Sequence, residues 1–129
     1  EEDTMSQAAA DELQRRRVSF AVKIIERVVH LPKTPAGRHV SGQILRSGTS
    51  PAPNYGEARG AESRADFVHK LRIAVKAINE TGIWLLIILE ARMLPIVLVE
   101  NLIKENRELA SILGASIRTA QAKASRINK

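Results

Sequence analysis

The chain has 129 residues, 44% of them apolar and only 3% aromatic, with no cysteine and a formal net charge of +6. That length suits one domain, and an aliphatic core favours packed helices over a β-sandwich. The absence of cysteine excludes a disulfide framework and a thiolate metal site, and it fits a reducing, cytoplasmic setting. The charge is uneven: five of the 14 acids precede Arg15, while all 20 lysines and arginines lie from Arg15 onward. A body that basic is expected to attract polyanions.

Residues 1–10 read as a frayed terminus. Glu1 to Asp3 are acidic, the opposite of a secretory leader's start, so no leader is expected and Met5 is a candidate start. The first predicted helix runs from about Asp11 to His30. Its apolar stripe is Leu13, Val18, Ala21, Val22, Ile25, Val28 and Val29, spaced by three and four. Arg16, Ser19, Lys23, Glu26, Arg27 and His30 occupy the opposite face. Pro32 and Pro35 end this helix, since proline cannot continue the hydrogen-bond ladder.

The second predicted helix starts near Pro35 or Ala36, with Thr34 as N-cap, and shows an apolar side at Val40, Ile44 and Leu45. Local chemistry stops it at Gly48. It restarts with Ser50 as cap and Pro51 in first position, continuing to Gly60.

The third predicted helix begins at the capping sequence Ser63-Arg64-Ala65-Asp66 and extends to about Met93. Phe67, Leu71, Ala74, Ile78, Leu85 and Leu89 mark one face. Glu80 lies among apolar neighbours and is expected to pair with a base from the second helix. After Pro95 a fourth helix spans about Ile96 to Ala122 on the stripe Leu98, Leu102, Leu109, Leu113 and Ile117. Residues 123–129 read as a basic tail. Short connections between long helices imply antiparallel neighbours. The expected fold is therefore all-α, an antiparallel up-down four-helix bundle over residues 11–122.

Ile83-Trp84-Leu85-Leu86-Ile87-Ile88-Leu89 is apolar for nearly two turns, so no side of that segment is polar. A bundle helix normally buries one stripe, and the surplus marks a binding surface. Ile83, Trp84, Leu86, Ile87 and Ile88 are the expected oligomer interface. The run is far too short to cross a membrane, which takes about 20 residues.

Nothing in the sequence assembles a catalytic set. His30, His39 and His69 show no helical metal-binding spacing, and Ser47-Gly48-Thr49-Ser50 lacks the lysine of a phosphate loop. A serine nucleophile would need a base and an orienting group, and neither is recognisable. The carboxylates Glu57, Glu62, Asp66 and Glu80 lack the Glu-x-x-His pattern of a di-metal bundle. No cofactor, no metal and no enzymatic activity are expected. The candidate phosphate contacts are Arg15, Arg16, Arg17, Arg38, Arg46, Arg59, Arg64, Arg118, Lys123 and Arg126.

The block Leu45-Arg46-Ser47-Gly48-Thr49-Ser50-Pro51-Ala52-Pro53-Asn54-Tyr55-Gly56-Glu57-Ala58 resembles the 23S rRNA intervening-sequence proteins of bacteria. The likeness continues through Ala61, Ser63, Asp66-Phe67, Lys70, Ile73-Ala74, Glu80-Thr81 and Trp84-Leu85, and covers roughly 13–113. The resemblance implies an up-down bundle, a homopentameric ring and one continuous second helix, kinked at Pro51 and Pro53. Some such proteins are encoded within insertions in 23S rRNA genes. The family is similar in fold to retroelement accessory variability proteins, which engage a reverse transcriptase and nucleic acid.

Within the block, Ser47, Thr49, Ser50, Asn54 and Glu57, together with Glu80, form a polar network or face a ligand. The structural reading is preferred, because such networks specify register and no catalytic partner accompanies them. Three functions follow in order of preference. The first is an oligomeric bundle that binds RNA or DNA. The second is a module that docks a partner protein such as a polymerase, and the third is an enzyme using the block.

Overall fold

The computed structural model describes residues 6–127, with side chains through 123. Five helical segments make up the described residues: α1 (Gln7–Val28), α2 (Pro35–Thr49), α3 (Pro51–Arg59), α4 (Arg64–Glu90) and α5 (Ile96–Ile127). There is no strand among the described residues, and no helix is long and apolar enough to cross a membrane. Only Ser50 separates α2 from α3, and it keeps helical dihedrals of φ −78° and ψ −37°. The two form one interrupted rod, so the architecture is a four-helix bundle.

Caps set most of the helix starts. Ser6 accepts from the Ala9 N–H at 3.1 Å, Thr34 from Gly37 at 3.1 Å, and Ser63 from Asp66 at 3.0 Å. Each satisfies an N–H that the helix itself leaves unpaired. Ser6 and the alanines behind it start α1 at Gln7, earlier than expected at Asp11. Residues 7–10, expected to be frayed, are thus helical, while residues 1–5 lie outside the described region. At the other end, α5 continues to Ile127 beyond the expected stop at Ala122.

Proline was expected to stop the second helix at Gly48, but α2 runs one residue further. Pro51 and Pro53 lack the N–H groups that would bond back four residues. Local side chains fill in around them. The Asn54 amide donates to the Ser50 carbonyl at 3.0 Å and to its hydroxyl at 2.9 Å. The Thr49 hydroxyl donates to the Leu45 carbonyl at 2.7 Å. Ser50 makes no capping bond and is a link in the rod rather than a cap.

The core is aliphatic with Phe20 at its side: Ile24, Ile44, Leu71, Ile78, Leu85, Ile88, Val99, Leu109 and Leu113 are all essentially inaccessible. Burying each such side chain contributes about 1.5–3 kcal/mol. α4 terminates in a Schellman turn, with Met93 N–H bonding the Ile88 carbonyl and Arg92 N–H the Leu89 carbonyl. Arg92 takes the left-handed position at φ 56°.

Cross-helix bonds fix the neighbours. Ser47 meets Thr81 and Glu57 meets Lys70, so rising numbers on the α2–α3 rod meet falling numbers on α4. Asn106 of α5 donates to the Ile78 carbonyl of α4, and Arg16 and Arg27 of α1 reach Glu105 and Leu98 of α5. α1 packs on α2, α3 and α5 but not on α4, so α1 and α4 sit diagonally across the bundle.

Candidate subunit and nucleic-acid interfaces

The face that α1 turns inward differs from the expected stripe. Leu13, Arg17, Phe20 and Ile24 are buried, whereas Val18, Val22, Ile25 and Val29 are 46–60% exposed. Two apolar lines run along this helix, about 100° apart. Arg17 interrupts the inner one, which drew the sequence reading to the outer line. Four branched residues spaced by four, three and four thus form an uncovered apolar seam.

On the diagonal helix, the apolar run of α4 divides. Ile83 is 58% exposed, Leu86 40% and Ile87 39%. Leu85 and Ile88 are buried, so Ile88 belongs to the core and not to the expected interface. Trp84 is half-buried: its indole N–H donates to Glu80 at 3.0 Å and its ring meets His39 edge-on at 5.9 Å. The helix is wide in apolar residues because the core takes one side and the outside keeps the rest. Beside it, Leu86 and Leu89 with Glu100, Ile103, Lys104, Arg107 and Glu108 line an open groove of about 440 Å³.

The signature residues do not make one network. Ser47 and Thr81 share a buried hydrogen bond of 2.8 Å between α2 and α4. Glu57 pairs with Lys70 at 2.9 Å, and Glu80 pairs with Arg46. These three tie the rod to α4. Thr49, Ser50 and Asn54 bond only within their own rod, where they serve the proline interruption. The Trp84 indole and the Arg46 guanidinium both hold the Glu80 carboxyl below the usual carboxylate range.

Most of the candidate phosphate contacts are already occupied. Arg15 pairs with Glu12 at 2.6 Å, and Arg59 with Asp11 at 2.7 Å. Arg16 bridges to both Glu105 and Glu108 at 2.8 Å, which hold its proton more firmly. Arg38 is exposed and donates to the Lys33 carbonyl at 2.8 Å. Arg17 is 1% exposed, so it is not a surface contact. Its guanidinium lies 4.2 Å from the Tyr55 ring centre, and burial pulls its pKa down to about 10. Lys123 is half-buried, and the Arg126 side chain lies outside the described residues.

Arg64 and Arg118 remain without an ion pair or side-chain hydrogen bond among the described residues. Arg72 and Lys76, which sequence reading passed over, share that property and are exposed. The signal for them was an absence of acid: none occurs in residues 67–79 or in 109–129. Among the described residues, no cluster of three histidines or carboxylates could hold a metal ion.

The model of the 23S rRNA-intervening sequence protein family matches residues 12–115. A solved structure from Bacteroides thetaiotaomicron, described as a protein with unknown function from the S23 ribosomal protein family, is similar at 35% identity and a TM-score of 0.76. The match covers 81% of this chain and 97% of that one. No curated protein matches.

Proposed function

We propose that this chain, which belongs to the 23S rRNA-intervening sequence protein family, is a non-enzymatic scaffold that assembles with copies of itself and presents a basic surface to nucleic acid. The observation that carries the assembly is the pair of uncovered apolar faces on diagonal helices. Val18, Val22, Ile25 and Val29 lie on α1, and Ile83, Leu86 and Ile87 on α4. Covering half-exposed branched side chains contributes on the order of 1 kcal/mol each.

Geometry favours a head-to-tail contact. A two-fold dimer joins one patch to itself and would leave the other face wet. Seating the α1 seam of one copy across the α4 face of the next and the groove beside it covers both. The flanking charges suit this: Lys23 and Glu26 border the seam, and Glu100, Lys104 and Arg107 border the groove. None of these five has an ion pair among the described residues. Repetition of such a contact closes into a ring, with five copies as the family resemblance suggests. The antiparallel pairings along the helices support an up-down bundle as the repeating unit. A cytoplasmic setting suits a chain without cysteine.

The cysteine-free background offers a direct test. A Val22→Cys chain mixed with a Leu86→Cys chain should form a mixed disulfide on mild oxidation. Val22→Cys alone should not cross-link. Efficient self-linking of Val22→Cys would instead mean a two-fold contact and defeat the head-to-tail reading. The α1 seam also fits a helix from another protein, such as a polymerase. A monomer in solution would favour that second reading.

A further inference from the structure

We infer that the outer edge of the α4–α5 pair, built from Arg64, Arg72, Lys76 and Arg118, is a contact for the phosphate backbone of a nucleic-acid duplex. The inference rests on the nucleic-acid part of the proposed function and gives it a place. Leu86 and Arg107 line the same groove between α4 and α5. Arg72 lies two heptads before Leu86, and Arg118 lies three helical turns after Arg107, so both continue the sides of that groove. Lys76 is one turn after Arg72 and Arg64 two turns before it.

The bond from Asn106 to the Ile78 carbonyl sets the level of the two helices. Counting outward from it places Arg118 beside the turns between Arg64 and Arg72. Four cations therefore share one edge, at the end of the helices away from the apolar groove floor. Asp66 is the one carboxylate on α4 between Arg64 and Lys76, about 120° around the helix from Arg72, and residues 67–79 and 109–129 contain none. None of the four is neutralised among the described residues, unlike Arg15, Arg16, Arg46 and Arg59.

The chemistry of the edge selects a duplex. From Arg64 to Lys76 it extends about 18 Å along a stiff helix. One strand of a duplex presents about five phosphates over that length. Single-stranded recognition uses aromatic platforms, and this chain has none to offer. Phe20 and Tyr55 are buried, and Phe67 and Trp84 pack against the core. Contacts of this kind read backbone and not bases.

The test uses the full chain and 20-base-pair RNA and DNA duplexes of one sequence, followed by fluorescence anisotropy (a length chosen at about two helical turns). Four phosphate contacts predict that affinity falls about a hundredfold between 50 and 200 mM salt. The variant R72Q/K76Q/R118Q should bind at least about tenfold more weakly and lose nearly three from the salt slope. The charge-matched variant R15Q/R46Q/R59Q should stay within about threefold of the parent. Equal losses in both variants would show diffuse charge attraction and overturn the assignment, leaving nucleic-acid binding itself intact. Failure of the parent chain to bind either duplex would overturn both. So would binding of an acidic peptide at this edge in place of the duplexes. Circular dichroism melting of each variant checks that the fold is intact.

Discussion

The hydroxyls of Ser47 and Thr81 lie 2.8 Å apart, both fully buried, and join α2 to α4 at the centre of the bundle. Thr81 also bonds the Ala77 carbonyl of its own helix. Thr81→Val would leave Ser47 without this partner, at a cost of about 1–3 kcal/mol. Ser47→Ala should cost a similar amount. The double variant S47A/T81V should lose less than the sum, since no orphan then remains between them. Urea unfolding of the four proteins checks this, and full additivity would show that the two hydroxyls act separately.

Two glycines hold helices at close range. A Cβ at Gly37 would stand 1.9 Å from the Pro32 carbonyl oxygen, in the turn that delivers the chain into α2. Gly37→Ala must therefore displace backbone, and should destabilise by more than about 2 kcal/mol. A Cβ at Gly48 would meet Ile24 side-chain carbons at 3.0 and 3.1 Å, which can shift slightly. Gly48→Ala should cost less, about 1–2 kcal/mol. Thermal melts rank the variants. Equal stability of Gly37→Ala and the parent would refute the close-approach account.

Arg17 carries a charge into the core without a carboxylate. One nitrogen donates to the Leu13 carbonyl at 3.1 Å, but Nε and Nη2 find no partner. Arg17→Met should stabilise the fold by about 1–3 kcal/mol, because an apolar side chain removes the desolvation penalty. The folded pKa, about 10, lies below the ordinary guanidinium value that the unfolded chain retains. The penalty therefore stands in full below about pH 10 and lifts as pH rises through the interval. Denaturant midpoints at neutral pH test the substitution. A marked loss of stability would mean that stacking on Tyr55 outweighs desolvation.

Arg92 holds a left-handed conformation at the end of α4, a position that glycine fills without strain. Arg92→Gly should raise stability by about 1 kcal/mol, after the greater chain entropy of glycine offsets part of the relief. A fall in melting temperature would count against the strain.

The fold was largely legible because its signals are local. Thr34 and Ser63 announce two helix starts, and Leu71, Ala74, Ile78 and Leu85 trace the inward face of α4. The inward face of α1 was not legible. Val18, Val22, Ile25 and Val29 have the spacing of a core stripe, and periodicity says nothing about which side meets the bundle. Arg17 on the true inner line disguised it. The ion pairs were hidden for a similar reason. Arg16 and Glu105 are distant in sequence, so a count of arginines could not show which charges are spent. Arg72 and Lys76 stand outside any run of arginine, and only the lack of acid over residues 67–79 marks their face. The role of the signature block was partly readable: Glu80 does pair with a base of α2, Arg46.

Solution mass is the most direct test of assembly through the apolar faces. Light scattering of the intact chain should give a defined multiple of the 14.2 kDa protomer. Ile25→Glu, on the exposed seam, should reduce it to the protomer mass with little change in melting of the isolated bundle. A parent chain that runs as a 14.2 kDa monomer at micromolar concentration would contradict the account.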